Sequence, residues 1–114
     1  MITTEEIREI LEQYQRFDWV LRRILLTNKL KVHLKDDLEK LFGDAQITSS
    51  DIDAAWFSRP GKNNREAWEL RIFSENPFAL LETFGDEQDE AEREKILDNV
   101  QTRMAEVSSK KSAN

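Results

Sequence analysis

Nucleophilic catalysis requires a serine, threonine, cysteine or lysine next to an activating base, which is most often histidine. The chain has one histidine and no cysteine. His33 lies between Val32 and Leu34, and no neighbouring residue in the sequence can orient its imidazole ring, so a structural histidine is the simplest interpretation. The lack of cysteine also removes thiolate ligands for zinc and thiol redox chemistry. We therefore expect no catalytic residue, no metal site and no cofactor.

Carboxylates are the remaining groups that could perform acid–base chemistry or bind a hard cation. Asp51 and Asp53 form one conceivable pair, but no apolar neighbours separate their pKa values in an evident way. The segment from Gly43 to Asp51 resembles a calcium loop only superficially, because the alignment places Lys40 and Phe42 at ligand positions. These observations predict a protein that is not an enzyme.

A dense acidic run lies near the end of the chain. Its members between positions 86 and 94 are Asp86, Glu87, Asp89, Glu90, Glu92 and Glu94, interrupted only by Arg93 among the basic residues. The simplest interpretation is a solvated helix start, since acidic residues complement the positive end of the helix dipole. The alternative is a functional surface that imitates a phosphate backbone or docks onto a basic partner. On that alternative, the candidate partner-binding residues are Asp86, Glu87, Asp89 and Glu90.

A small basic cluster lies in the middle of the chain. Arg59, Lys62 and Arg65 surround a predicted hairpin turn, and we expect Phe57 to project from the outer face beside them. An ordinary solvated loop tip is the simplest interpretation, but arginine next to an exposed aromatic ring is also typical of an interface hot spot or a phosphate contact. These four residues, together with Trp19 on the first helix, complete the candidate partner-binding set.

Composition excludes several classes of protein. The chain has 114 residues, of which 23 are acidic and 17 basic, so its formal net charge is -6. A polyanion-binding protein normally carries a basic field, so direct binding to nucleic acid is disfavoured. No segment approaches the roughly 20 apolar residues of a membrane span, and the first residues are acidic where a signal peptide is basic. We expect one cytoplasmic domain that does not enter a membrane.

Helical periodicity is strongest in the first quarter of the chain. Apolar residues recur at spacings of three and four from Thr4 to about Thr27, which predicts a long amphipathic helix. Thr3 and Glu6 have the spacing of a capping box at its start. Residues 28–34 fit a strand or a helix equally well, and a second, short helix is predicted from about Lys35 to Phe42.

The middle of the chain predicts a β-hairpin. Its strands span 51–59 and 65–74, and residues 60–64 form the turn. The register that places Trp56 opposite Trp68, and Asp53 opposite Arg71, groups the apolar side chains on one face. A third strand is predicted at 78–84, after a turn at Asn76 and Pro77. Alternatively, residues 49–57 form a helix and the chain resembles a winged helix, although the acidic residues of that segment argue against insertion into a DNA groove.

The last helix is predicted from about Asp86 to Val107, and a polar, disordered tail follows at 108–114. The predicted fold class is therefore α+β, with a long N-terminal helix, a short helix, a three-stranded antiparallel β-meander and a long C-terminal helix. One domain, 1–107, contains all of these elements.

The predicted elements leave an excess of apolar surface. A helix of about 24 residues is roughly 36 Å long, whereas three strands are about 14 Å across, so such a sheet cannot cover the helix alone. The simplest interpretation is that the two long helices pack on each other, and the alternative is that a second chain covers the excess. We therefore predict a small, acidic, non-catalytic protein that binds other proteins or regulates them, with a subsidiary prediction of a homodimer through the helix from Thr4 to Thr27. The alternative is a regulator linked to nucleic acid, either a winged-helix-like DNA binder or an acidic mimic of DNA.

Overall fold

The chain forms an α+β fold around one five-stranded mixed sheet. The computed structural model describes residues 2–74 and 78–112. In chain order its elements are α1 (Thr4–Arg16), β1 (Val20–Leu26), α2 (Asn28–His33), α3 (Leu38–Phe42), β2 (Gln46–Ser49), β3 (Ala54–Pro60), β4 (Glu66–Ile72), β5 (Ala79–Phe84) and α4 (Glu90–Ser112). The strand order is β2-β1-β3-β4-β5, with β1 and β2 parallel and the other neighbours antiparallel. The predicted meander is present as β3-β4-β5, and two further strands extend it.

The first helix is shorter than predicted. The predicted capping box between Thr3 and Glu6 is confirmed at its start, but α1 ends at Arg16. Asp18 follows with a φ of 65°, and the N–H of Trp19 donates to the carbonyl of Tyr14 at 3.1 Å. This is a Schellman motif, which normally has glycine at the left-handed position. Because aspartate occupies that position here, the sequence carries no stop signal, and the helical spacing of its apolar residues continues to Thr27.

Residues 20–26 form β1 instead of the second half of a helix. Ile24, Leu25 and Leu26 are all buried, because β1 lies inside the sheet and both of its faces are covered at this end of the strand. A short apolar run of this kind cannot be assigned to helix or strand from periodicity alone. The continuous helix on which the homodimer prediction depended is therefore not formed.

The connection from β1 to β2 crosses one face of the sheet as two short helices. Thr27 caps α2, since its hydroxyl accepts the N–H of Leu30 at 3.2 Å, so the undecided segment 28–34 is mainly helical. The second short helix, α3, begins at Leu38 and not at Lys35. β2 was not predicted, and its four residues pair in parallel with β1.

The hairpin is present, with its register shifted by two residues. Trp56 pairs with Leu70, and Ser58 pairs with Trp68. A shift of two preserves the face of every side chain, so the two tryptophans still share a face, with ring centroids 6.1 Å apart. The predicted pair of Asp53 with Arg71 is wrong. The Asp53 carboxylate instead accepts the N–H of Thr27 at 2.7 Å.

The segment proposed as a recognition helix in the winged-helix alternative contains no helix. Residues 46–49 and 54–60 are strands β2 and β3, so that alternative is wrong. The turn predicted at Asn76 and Pro77 lies outside the described residues. The last helix begins at Glu90, four residues after the predicted Asp86, and continues to Ser112, beyond the predicted Val107. Of the predicted tail, residues 113–114 lie outside the described part of the chain.

The two terminal helices lie on opposite faces of the sheet. The first face, with α1, α2 and α3, buries a core that includes Ile7, Ile10, Ile24, Leu26, Leu30, Leu34, Phe42, Ala55 and Phe57. The second face, with α4, buries Leu25, Ala54, Trp56, Trp68, Leu70, Phe84, Leu97, Val100 and Met104. The sheet, with helices on both faces, buries most of the large apolar side chains. The two terminal helices do not pack on each other, and the excess of apolar surface predicted from a long first helix is wrong. Within residues 2–74 and 78–112, no helix has both the length and the apolar character needed to cross a bilayer.

Candidate protein-interaction site

Two of the predicted partner-binding residues, Trp19 and Arg59, lie against each other. β1 and β3 are antiparallel neighbours, and Val20 pairs with Ser58, so residues 19 and 59 meet at the same end of the sheet. The Arg59 guanidinium lies 4.5 Å from the centroid of the Trp19 ring, and its Nη1 donates to the carbonyl oxygen of Phe17 at 3.1 Å. A cation over an indole face at this distance is a favourable cation–π geometry.

Two apolar side chains at the end of α1 and the start of β1 are also exposed, and the sequence analysis did not predict them as binding residues. Phe17 is 61% exposed and Val20 is 53% exposed. The spacing of apolar residues in the sequence places Phe17 on the apolar stripe of the predicted long helix, but the helix ends at Arg16 and Phe17 is turned outward. We call Phe17, Trp19, Val20 and Arg59 the aromatic patch.

A groove of about 420 Å³ opens beside the aromatic patch. It lies between the end of α1 and strands β4 and β5, and its walls are formed by Gln13, Tyr14, Phe17, Trp19, Glu69, Arg71, Phe78 and Ala79. The groove exists because α1 packs over β1 and leaves the outer strands on this face partly uncovered. Leu81 of β5 is consequently 56% exposed.

Tyr14 fixes the floor of the groove to the core. Its ring stacks on Phe57 with centroids 4.0 Å apart, and it meets Trp19 edge to face at 6.0 Å. Its hydroxyl donates a hydrogen bond to the Glu69 carboxylate. Burial, followed by the neighbouring Glu69 carboxylate, raises the pKa of the Tyr14 phenol. The phenol therefore stays protonated and keeps donating at neutral pH.

Phe57 does not project from the outer face, which corrects the prediction. It is 1% exposed and lies under Tyr14. The reason is that β3 is the central strand, so helices cover both of its faces and leave no outer side. Phe57 supports the groove from below and is not available to a partner.

The predicted basic and acidic surfaces are neighbours. Glu66, at the start of β4, pairs with Phe84, at the end of β5, and this pairing brings the hairpin tip next to the acidic run. Arg65 Nη1 lies 3.9 Å from Glu87 Oε1, and both side chains are largely exposed. An exposed pair of this kind contributes at most about 1 kcal/mol, but it reduces the field of both surfaces.

Of the other predicted residues of these two surfaces, two have local roles in the backbone structure. The Asp89 carboxylate accepts the N–H of Glu92 at 2.8 Å, as expected for a residue that caps the start of α4. Lys62 accepts the Arg65 N–H through its carbonyl at 3.1 Å and so closes the hairpin turn. Asp86 and Glu90 are exposed.

Four polar side chains line the groove. Its polar side chains are an amide, a phenol, a carboxylate and a guanidinium, and the guanidinium of Arg71 donates to the carbonyl of Ile72 at 2.6 Å. In the described part of the chain, no group of three or more histidine, cysteine or acidic residues is arranged to hold a metal ion. The lone His33 is exposed on α2, away from the groove.

No protein-family model, curated protein or solved structure matches this chain.

Proposed function

We propose that this chain is a small, acidic, non-catalytic protein-binding protein, and that the aromatic patch and the groove beside it form its binding surface. The observation that carries the proposal is the exposure of Phe17 and Val20 around a tryptophan held by arginine. Tryptophan and arginine are the residue types most enriched at interface hot spots. A groove beside the patch can receive a partner side chain.

The patch is held in place before a partner arrives. Trp19 is fixed by its backbone hydrogen bond to Tyr14, by the edge-to-face contact with the Tyr14 ring and by the Arg59 guanidinium over its own ring. Immobilising a flexible side chain on binding costs about 0.5 to 1.5 kcal/mol, and a residue that is already fixed avoids much of this cost. This rigidity supports a binding role over a chance exposure of apolar residues.

The alternative of an acidic mimic of DNA has less support. A phosphate backbone is uniformly negative, whereas the acidic run here lies next to Arg65 and contains Arg93. The regulatory role and the cytoplasmic location stay predictions, as does homodimerisation, which no longer has a continuous helix to support it.

The experiment compares three single substitutions of exposed or half-exposed apolar residues. Phe17→Ser and Trp19→Ser alter the aromatic patch. Val32→Ser is the matched control, because Val32 is 74% exposed on α2, beyond the opposite end of β1. Each variant and the wild type serve as bait in cells that naturally express the protein, and bound proteins are quantified by mass spectrometry.

We expect proteins captured by the wild type to fall at least tenfold with Phe17→Ser and Trp19→Ser and to be retained with Val32→Ser, since loss of a hot spot costs about 2 kcal/mol or more. Circular dichroism on each variant verifies that the fold persists. Equal capture by all four proteins would contradict the proposal.

A further inference from the structure

The last strand of the sheet has an open edge. β5 is the terminal strand in the order β2-β1-β3-β4-β5, and no strand of the described residues pairs with its outer side. Natural edge strands are usually protected by lysine, by proline, by a bulge or by being very short. The six residues of β5, ALLETF, contain neither lysine nor proline, and their pairing with β4 is regular. Its one charged residue, Glu82, is paired with Arg103 of α4 at 3.0 Å, so this charge is partly neutralised.

The hydrogen-bonding pattern shows which backbone groups are directed outward. The N–H of Ile72 donates to the carbonyl of Phe78 at 3.0 Å, so this pair is hydrogen-bonded. Pairs alternate along an antiparallel ladder, and the outer residues of the alternate pairs are Ala79, Leu81 and Thr83. Their N–H and C=O groups therefore face away from β4, where an additional strand can bind them.

Side chains on the same edge favour an extended occupant. Leu81 lies across from Glu69, on the face that carries the groove, and it is largely exposed. A strand added beside β5 places every second side chain on this face, next to Leu81 and the mouth of the groove. Backbone pairing supplies affinity in this mode of recognition, and alternate side chains supply specificity.

Charge selects the kind of occupant. Asp86 and Glu87 follow Gly85 just beyond the end of β5. Arg65 lies near Glu87 and reduces its field, but Asp86 is exposed and the whole chain carries a net charge of -6. A segment with lysine or arginine at one end is attracted to these carboxylates, whereas a second copy of this acidic chain is repelled.

We propose that β5 binds an extended, basic segment of a partner protein as a sixth strand, with apolar side chains beside Leu81 and basic side chains beside Asp86 and Glu87. This inference rests on the proposed function, and it specifies how the partner is held.

The test uses three acetylated and amidated octapeptides as probes. The first is Lys-Arg-Val-Thr-Val-Thr-Val-Thr. The second replaces its two basic residues by Glu-Asp, and the third replaces every threonine of the first by proline, which cannot complete a backbone ladder. Each peptide is added at about 1 mM, which suits the weak end of specific affinities. Amide hydrogen exchange of the full chain is measured by NMR.

With the first peptide we expect exchange at the Leu81 and Thr83 amides to slow at least tenfold, with little change for the other two. Leu81→Lys protects the edge and repels a basic strand, so it should weaken binding at least tenfold, and Thr83→Ala should retain it. Thr83→Pro removes one outward N–H, so the first peptide should no longer slow exchange at the remaining Leu81 amide.

Three outcomes would overturn the inference. They are no protection at these amides, equal protection by the acidic peptide, and protection without peptide that rises with protein concentration, which would identify a second copy as the occupant. None of these outcomes changes the result of the capture experiment with Phe17→Ser, so the proposed function is tested separately.

Discussion

Replacing Asp18 by glycine should stabilise the protein. Asp18 is held at a φ of 65° at the end of α1, in a Schellman motif with hydrogen bonds of 3.1 Å from the N–H groups of Asp18 and Trp19. A left-handed conformation costs an L-residue roughly 1 to 2 kcal/mol, whereas glycine adopts it freely. The greater conformational freedom of glycine in the unfolded chain reduces this stabilisation by about 0.5 to 1 kcal/mol. The expected gain in the free energy of unfolding is therefore about 0.5 to 1 kcal/mol.

Thermal unfolding converts this gain into a measurable shift. For 114 residues, an unfolding entropy of about 2.1 cal/mol/K per residue gives about 0.24 kcal/mol/K, so the Asp18→Gly variant should melt about 2 to 4 °C higher. Differential scanning calorimetry and urea titration measure the change in Tm and in the free energy of unfolding.

Two control variants separate the backbone effect from other causes. Asp18→Asn removes the negative charge from the C-terminal end of the helix, where it is unfavourable by about 0.3 kcal/mol or more, and tolerates the same φ. Glu12→Gly places glycine at an exposed position inside α1 and should destabilise by about 1 kcal/mol. If Asp18→Gly melts no higher than Asp18→Asn while Glu12→Gly behaves as expected, the strain at Asp18 does not exist.

Three further measurements follow from the described contacts. Tyr14 is the only tyrosine of the chain, and its pKa is raised in the fold. Its protonated phenol therefore stabilises the protein fully below pH about 10, and this effect is lost as the pH rises further. Ultraviolet titration should show phenolate only well above about pH 10, and Tyr14→Phe should reduce the fall in stability at alkaline pH. Phe57→Ala should lower the free energy of unfolding by about 3 to 5 kcal/mol and Phe17→Ala by less than about 0.5 kcal/mol; similar urea midpoints for the two variants would show that Phe57 is not buried. The pKa of Glu94 is lowered mainly by its hydrogen bond with Arg23, so this pair stabilises the fold above pH about 4.5 and loses its effect as the pH falls through the lowered pKa of Glu94. Because both side chains are partly exposed, Glu94→Gln should lower the free energy of unfolding by less than about 1 kcal/mol at pH 7. If the difference in unfolding free energy between Glu94→Gln and the wild type does not shrink in acid, this assignment is refuted.

Local signals in the sequence predicted the elements whose ends carry strong markers. The capping box at Thr3, the hairpin turn rich in asparagine and the face shared by Trp56 and Trp68 all have counterparts in the structure. Face assignment was robust because the alternation of side chains has a period of two, so a register error of two residues leaves it unchanged.

Other features depended on contacts between distant parts of the chain. β1 was mistaken for helix because its last three residues are buried on both faces, which removes the alternation that marks a strand, and aspartate at position 18 concealed the end of α1. For the candidate site, Trp19 and Arg59 were identified separately, but their contact follows from the pairing of β1 with β3. Phe17 was missed as a binding residue because its exposure follows from the end of α1.

The two borders of the sheet are unequal in length, and this difference limits how far the molecule can polymerise. β5 offers six residues on one side, whereas β2 offers only four on the other. A partner strand that pairs with β5 occupies the longer edge strand. The other edge strand, β2, is too short to bind another chain tightly. Edge-to-edge association should therefore stop after one partner strand has been added, which gives a discrete complex and not a fibre.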